Sequence, residues 1–396
     1  MTLTRDSVLH YWSSRYGINP RIGGRPVFTR NSAGLFTTQE GEVDTAIVNT
    51  PRQDWATLNL PNSLTERRKV LTLELARSNA LVAPSAFGNA AWAKVTMTIA
   101  TGLPDPGGGT SACTLTAAGA NSEVNQILAT GSSIVRANSA WIRRRTGTGT
   151  VNLLKPEGAY VAVALTSSWQ RFVAVNAAAS VNRSAAIQIV TNGDAIDVWL
   201  AQIDDGPFAT SGILAGSGAS RAADSLYWNF PPVPQAMIGY NRFVESGSIS
   251  TPDARGFEIG ANPSATARFL TRTVSVGSYD VFQQNGGVVT AAVPGTPVIG
   301  DTVEHVPILL STGAVRLIQS INGAAVTDSG TSGALALAGA WSGTRLSLNG
   351  LDPTAIGCNQ FAECKFVKYA DVVASTAQGI MDELRAFELG PNSEVL

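Results

Sequence analysis

The 396-residue chain is poor in charged residues and carries no excess charge of either sign. Charged side chains make up 14% of the sequence, well below the roughly 25% of an average soluble domain. The formal net charge is −1, whereas a protein that holds nucleic acid through its phosphates needs a positive field. We therefore expect no nucleic-acid partner.

Histidine and cysteine are also scarce, which limits metal and nucleophile chemistry. The two histidines, His10 and His305, lack metal-ligand spacing to a cysteine or to each other, and this argues against a zinc site. The three cysteines form no even framework, so we expect reduced, mostly buried thiols. Cys358 and Cys364 are close enough in sequence to pair across a loop, and the sequence leaves that alternative open.

Long apolar runs are missing as well. No stretch of about 18 apolar residues occurs, which argues against membrane insertion. The N-terminus lacks the basic start and apolar core of a signal peptide. We expect that a protein of this kind reaches the outside of a cell only as part of a particle released by lysis.

Glycine, proline and short strand patterns dominate the sequence. It contains 39 glycines and 19 prolines, and 44% of its residues are hydrophobic, enough to form a core. Apolar and polar residues alternate with a period of two in many short segments, such as 69–75 and 93–99, and asparagine–glycine pairs supply hairpin turns. This pattern predicts an all-β protein with two antiparallel β-sandwich (jelly-roll) modules.

The strand series divide the chain into three parts. Residues 1–75 are predicted to be an irregular N-terminal strap, residues 76–225 the first module and residues 226–396 the second. A Gly/Ser/Ala-rich stretch at 210–220 is typical of a linker between the modules. Apolar residues at helical spacing predict one short C-terminal helix over 377–387.

Carboxylates are present, but their contexts do not indicate catalysis. A glycosidase needs two carboxyl groups facing each other about 5–9.5 Å apart. The candidates are Asp194, Asp197, Asp204, Asp205, Glu258 and Glu304. The four aspartates stand at turns or a strand start, where turn bonding is their ordinary role. Glu258 falls within a strand-like segment, and Glu304 precedes a strand and shows no partner carboxylate in the sequence. We expect no enzyme activity. The basic run at 143–145 is interpreted as solvated edge or interface charge.

Aromatic residues are the candidates for ligand binding, because exposed rings stack on sugars. Five tryptophans lie in or beside strands and are expected in the core: Trp92, Trp141, Trp169, Trp199 and Trp341. Strict alternation would place Trp199 on the face opposite both of its neighbours, Val198 and Leu200. Tyr160, Tyr227 and Trp228 lie near predicted strand ends or the linker, and we expect them to be glycan-binding residues. A structural calcium ion is compatible with a jelly roll, although Asp194 and Asp197 alone do not make a site; no other cofactor is expected.

Three stretches resemble tail, tail-fibre and head-fibre proteins of phages and prophages. The first joins residues 28–34 (FTRNSAG) through 41–46 to 49–54 (NTPRQD), and the second is 73–79 (LELARSN). The third runs from 165–171 (LTSSWQR) through 193–199 (GDAIDVW) to 221–224 (RAAD) and is similar to the carbohydrate-binding-like jelly roll of such proteins. Residues 226–390 resemble the concanavalin-A-like (laminin-G-like) sandwich, by strand rhythm and by residues 341–350.

The resemblance implies a virion structural protein, assembled in the host bacterial cytoplasm. It would be a fibre or spike component, on tail or head, that contacts other virion proteins and binds host surface polysaccharide. Low-affinity modules gain from repetition, so we expect a homo-oligomer, with a trimer as the first guess. A purely architectural minor capsid, decoration or tail-adaptor protein is the alternative, and a capsule- or wall-degrading glycosidase is the third.

Overall fold

A computed structural model describes most of the chain. The described residues are 8–13, 17–18, 27–38, 43–214, 219–229, 236–246, 255–260, 267–275, 278–285, 288–293, 295–333, 345–348, 359–368 and 375–386. Their regular secondary structure consists of antiparallel strands with one short α-helix and one 3-10 turn, so the all-β prediction is confirmed. None of the helices among these residues is both long and apolar enough to span a membrane.

Strands are numbered in chain order. The first fifteen are β1 (Val8–Ser13), β2 (Gly17–Ile18), β3 (Val27–Thr29), β4 (Gly34–Thr37), β5 (Val43–Ala46), β6 (Arg52–Asn59), β7 (Thr65–Leu73), β8 (Arg77–Asn79), β9 (Ala93–Val95), β10 (Met97–Leu103), β11 (Ala112–Ala117), β12 (Ser122–Leu128), β13 (Ala137–Thr146), β14 (Val151–Leu154) and β15 (Tyr160–Val163). The others are β16 (Gln170–Val175), β17 (Arg183–Ile189), β18 (Ala195–Asp204), β19 (Ala219–Arg221), β20 (Ser225–Asn229), β21 (Met237–Glu245), β22 (Arg255–Gly260), β23 (Ala267–Ser275), β24 (Ser278–Asn285), β25 (Val288–Val293), β26 (Thr302–Leu309), β27 (Val315–Ile321), β28 (Thr327–Asp328), β29 (Arg345–Leu348) and β30 (Asn359–Lys368).

The chain forms two compact units, and each is assembled from separate stretches. Unit 1 comprises Met1–Arg30, Asn49–Leu75 and Ala223–Leu396, and unit 2 comprises Asn31–Val48 and Ala76–Ala222. The segment 1–75 therefore contributes strands to both units; its role as an attachment strap stays a prediction. The described part of the expected linker belongs to unit 2, where Thr210 and Ile213 are buried and β19 pairs with β8.

Unit 2 is built around a β-sandwich. Its described residues form two five-stranded antiparallel sheets, in the orders β10-β11-β18-β13-β16 and β15-β14-β17-β12-β9, besides the pairs β4-β5 and β8-β19. Alternate residues of the strands face the core, as the period of two predicts, and include Leu115, Val124, Ile142 and Ile187. Trp92 is buried there, and its indole N–H donates to the Ala83 carbonyl at 3.0 Å.

Strict alternation fails at one point of β18. Val198 and Ala201 face the core, whereas Trp199 and Leu200 both pack in a separate apolar cluster with Leu35. Leu200 has a φ of +48°, and the β13–β18 register shifts at this point, which marks a β-bulge. The prediction that Leu200 faces away from Trp199 is therefore wrong, because the bulge inserts an extra residue on the strand.

Unit 1 contains a nine-stranded and a seven-stranded sheet among its described residues. The nine-stranded sheet follows the order β2-β1-β30-β21-β26-β27-β28, and β7, with β6 beside it, also pairs with β30; the seven-stranded sheet follows β25-β24-β23-β22-β29-β20-β3. The helix α1 (Ala377–Ala386) lies close to the predicted range and buries Ile380, Met381 and Leu384 against the nine-stranded sheet. Arg385 of α1 also bonds the buried Glu304 carboxylate at 3.0 Å.

Four charged side chains are buried together in unit 1. Arg52 donates to the carboxylates of Glu74 and Asp224, and Arg30 donates to Asp224 at 3.2 Å. The backbone N–H groups of Glu74 and Asp224 donate to the Asp224 carboxylate and the Glu74 carbonyl, each at 2.9 Å. Burial alone would lower the pKa of Arg52, but the two carboxylates outweigh it and raise the pKa. We name these four residues the buried charge cluster.

The cysteines agree in part with expectation. Cys113 and Cys364 are buried free thiols, whereas Cys358 lies outside the described residues. Burial raises the pKa of both thiols, so both are protonated at neutral pH.

We predict that Arg52→Ala lowers the free energy of unfolding by about 3–5 kcal/mol, because it leaves two buried carboxylates without their main counter-charge. The control is Arg316→Ala, which removes a partly exposed pair with Asp328 and should cost less than about 1 kcal/mol. Chemical denaturation measures both. Equal losses for the two variants would contradict a structural role for the buried charge cluster.

Stability should also depend on pH through His305. This ring is fully buried against Phe243 and Tyr279, and burial lowers its pKa from 6.5 to about 4 although Gln319 bonds it. Between about pH 6.5 and about pH 4 the unfolded chain binds a proton that the folded chain does not. The stability contributed by the neutral ring is complete above pH 6.5 and is lost as the pH falls through this window. His305→Gln should flatten that part of the unfolding-versus-pH curve; an unchanged slope would contradict the assignment.

Candidate functional site

The structure separates the three aromatic residues predicted to bind glycans. Trp228 is fully buried in the core of unit 1, so the expectation that its ring is exposed to a sugar is wrong. The chain enters a sheet at Ser225, where β20 lies between β29 and β3. Alternation along this strand turns Leu226 and Trp228 toward the core. Tyr227 is half-buried on the same strand. Among the three, Tyr160 is the exposed one, at 39%.

Tyr160 lies along the outer face of a unit 2 sheet. It begins β15, the edge strand, yet its hydroxyl donates to the carboxylate of Glu123 on β12, three strands away. Strands are spaced about 4.8 Å apart, so the side chains bridge about 14 Å between backbones. A tyrosine standing perpendicular to the sheet cannot reach that far. The ring therefore extends from β15 over β14, and the Glu123 side chain reaches back from β12 over β17 to meet its hydroxyl.

Polar side chains surround this ring on the same face. Glu123, Gln188 and Asn152 are opposite one another in register on β12, β17 and β14, and all three are half-buried. The Asn152 amide donates to Gln188 at 2.8 Å, and the Asn125 amide donates to Glu123 at 2.6 Å. We name this surface, made of Tyr160, Glu123, Asn125, Asn152 and Gln188, the amide face.

Burial and the neighbouring carboxylate together keep Tyr160 protonated. Burial raises the pKa of Tyr160, and the hydrogen bond and negative charge of Glu123 raise it further. The phenol therefore stays protonated at neutral pH and serves as a donor to Glu123. An aromatic ring beside amide and carboxylate groups offers one apolar surface and several hydrogen-bonding atoms to a ligand.

Most members of the amide face were not among the sequence candidates. Glu123 and Asn125 alternate with the buried Ser122, Val124 and Gln126 of β12, and this polar–buried alternation is the signal that could have identified them. What alternation cannot supply is the pairing of β12 with β17 and of β17 with β14. Those pairings bring the polar positions of three strands into one row.

The carboxylates considered for catalysis are engaged in local bonds. Asp194 accepts from the Gly149 backbone at 2.7 Å, and Asp197 accepts from arginines. Asp204 is buried, and burial raises its pKa although Thr210 bonds it at 2.7 Å. Among the described residues no group of three or more histidines, cysteines or carboxylates could hold a metal ion.

No protein-family model and no curated protein matches the chain. Among solved structures, the chain is similar to the N-terminal CBM22-1–CBM22-2 tandem domain of Paenibacillus barcinonensis Xyn10C, with a TM-score of 0.26 and 10% identity over 75% of this chain and 99% of that one. It is also similar to domains LG4-5 of the mouse laminin alpha1 chain, with a TM-score of 0.21 and 9% identity over 62% of this chain and 84% of that one.

Proposed function

We propose that unit 2 binds a glycan on its amide face and that the protein is a non-enzymatic, surface-binding component of a phage-type particle. The observation that carries the proposal is Tyr160, which is 39% exposed and extends over the outer face of the sheet toward Glu123. A pyranose has an apolar face and a rim of hydroxyl groups. The ring would stack on the former, and the neighbouring amides and carboxylate would bond the latter.

The residue types on this face favour a saccharide over other ligands. Glu123 is its one carboxylate, and no cationic side chain belongs to it, which disfavours phosphate and nucleic acid. The outer face of a sheet, unlike an enclosed pocket, leaves a chain-like ligand open at both ends, as binding to a long polysaccharide requires. The single carboxylate also supports binding rather than hydrolysis, because glycosidases use two.

Membership of a virion rests on the resemblance of residues 26–225 to tail-fibre and head-fibre proteins. In such a setting one weak site per chain is sufficient, because a homo-oligomer, with a trimer as our working guess, presents several sites to one host polysaccharide. Other virion proteins would be the remaining partners. The finer assignment to tail or head awaits labelling on intact particles.

Removing the ring should weaken glycan binding without unfolding unit 2. A host-polysaccharide array identifies the ligand, and calorimetry then compares variants. We predict an affinity loss of about tenfold for Tyr160→Ala, which removes the stacking surface, and a loss below about threefold for Tyr160→Phe, which keeps it. If wild type and Tyr160→Ala bind the glycan with equal affinity, the glycan-binding site lies outside the amide face. No binding to any host polysaccharide would favour the architectural alternative.

The absence of hydrolysis needs its own assay. After incubation of the protein with host capsule and wall polysaccharide, we expect no increase in reducing ends over a buffer control. An increase that persists in Glu123→Gln would place a glycosidase elsewhere in the chain, and one that disappears would make the amide face an active site. Either result would contradict the non-enzymatic proposal.

A further inference from the structure

The outer face of the other unit 2 sheet carries a group of charged and aromatic side chains. Thr114, Asp197 and Arg143 are opposite one another in register on β11, β18 and β13, so all three project from the same side of the sheet. Arg145 lies two residues further along β13 and projects from that side too. We name this surface, with Trp169 beside it, the arginine face.

Asp197 holds the two arginines in place. Its side chain is 3% exposed and accepts from Thr114 at 2.6 Å, Arg143 at 2.9 Å and Arg145 at 3.0 Å. Burial alone would raise the pKa of Asp197, but these three hydrogen bonds outweigh burial and lower it. The carboxylate is therefore charged at neutral pH and orients both guanidinium groups.

Both guanidinium groups keep hydrogen-bonding capacity for a ligand. The Arg143 and Arg145 side chains are 31% and 46% exposed. Among the described contacts, Arg143 uses its Nε on Asp197, and Arg145 uses one terminal nitrogen on Asp197 and Thr114. A guanidinium has five N–H donors, so most remain available. Two cations on one anion also leave a local excess of one positive charge.

An aromatic ring completes the arginine face. The guanidinium carbon of Arg143 lies 4.8 Å from the centre of the Trp169 ring, which restrains the arginine on its outer side. Trp169 and Trp141 are half-buried and pack against the apolar cluster around Trp199. Arg143 is thus held by Asp197 and Trp169, and Arg145 by Asp197 and Thr114, before any ligand arrives, which reduces the entropy lost on binding.

We propose that the arginine face is a second saccharide site, specific for sugars that carry a carboxylate or sulfate group. The forked donors of two fixed arginines match a planar or tetrahedral anion, and the half-exposed indole offers an apolar surface to the sugar ring. The single excess charge is too small for the continuous phosphates of nucleic acid. The arginine face and the amide face belong to different sheets of unit 2, and ligand binding at the arginine face does not depend on the amide face.

The test titrates the full chain with polygalacturonate, dextran sulfate and neutral dextran, at low and at physiological ionic strength. We expect binding to at least one polyanion, weaker at higher salt, and none to dextran. Arg145→Gln and Arg143→Gln should each lower the affinity about tenfold. The matched control Arg316→Gln removes an arginine from another aspartate pair and should bind as wild type does. Tyr160→Ala should leave polyanion binding unchanged.

The arms of the experiment separate the outcomes. Binding to polygalacturonate identifies a carboxylate ligand, and binding to dextran sulfate alone identifies a sulfate ligand; both support the site. The proposal is overturned if neither polyanion binds, or if Arg143→Gln and Arg145→Gln bind as tightly as the control. Tighter, arginine-dependent binding to single-stranded DNA would assign the face to nucleic acid instead. If Tyr160→Ala loses glycan binding but keeps polyanion binding, the result concerns only the amide face and leaves the arginine face supported.

Discussion

The buried charge cluster is the interaction on which the organisation of the chain depends. Arg30, Arg52, Glu74 and Asp224 are all almost entirely buried, and such charges are costly unless each is paired. Arg52 lies in β6, and Arg30, Glu74 and Asp224 directly flank β3, β7 and β20. Their contacts therefore join the β6–β7 hairpin to two chain segments that are distant from it or from each other in sequence. Apolar residues could pack those strands in several registers. Buried ion pairs restrict the number of possible registers, because a shifted register would leave an ion unpaired in the core.

The four residues of the buried charge cluster also lie close to the points at which the chain passes from one unit to the other. The chain passes between the two units after Arg30, before Asn49, after Leu75 and before Ala223. Each of these four points lies within three residues of a member of the cluster. The segments FTR (28–30), NTPR (49–52), LEL (73–75) and RAAD (221–224) supply one member each. Together the four residues hold the points at which the chain leaves and re-enters unit 1.

Fold class followed from the sequence because alternation and turn chemistry are local properties. Period two was sufficient to predict antiparallel strands and a core of alternate residues, and helical spacing was sufficient for α1. Trp228 was misplaced because a Gly/Ser/Ala stretch indicated a linker, whereas β20 begins only a few residues later. Leu200 was misplaced because a bulge with positive φ leaves no sequence signal that alternation can detect.

The binding faces were less accessible to sequence reasoning, since they depend on strand order. Tyr160 was identified, but its partner Glu123 is 37 residues away and becomes a neighbour only through the pairings β12–β17–β14–β15. Arg143 and Asp197 were noted separately, one as edge charge and the other as a turn residue. The register of β13 with β18 makes them one structural feature. Sequence reasoning can identify individual candidate residues, but only the strand order and register show which of them lie side by side.

The central claim is that unit 2 recognises a saccharide through the amide face. The most direct measurement is an experimental structure of the protein with an oligosaccharide selected from the host-polysaccharide array. We predict a sugar ring stacked on Tyr160, with its hydroxyl groups bonded to Glu123, Gln188 or Asn152. A saccharide bound elsewhere, with the amide face empty, would contradict the account.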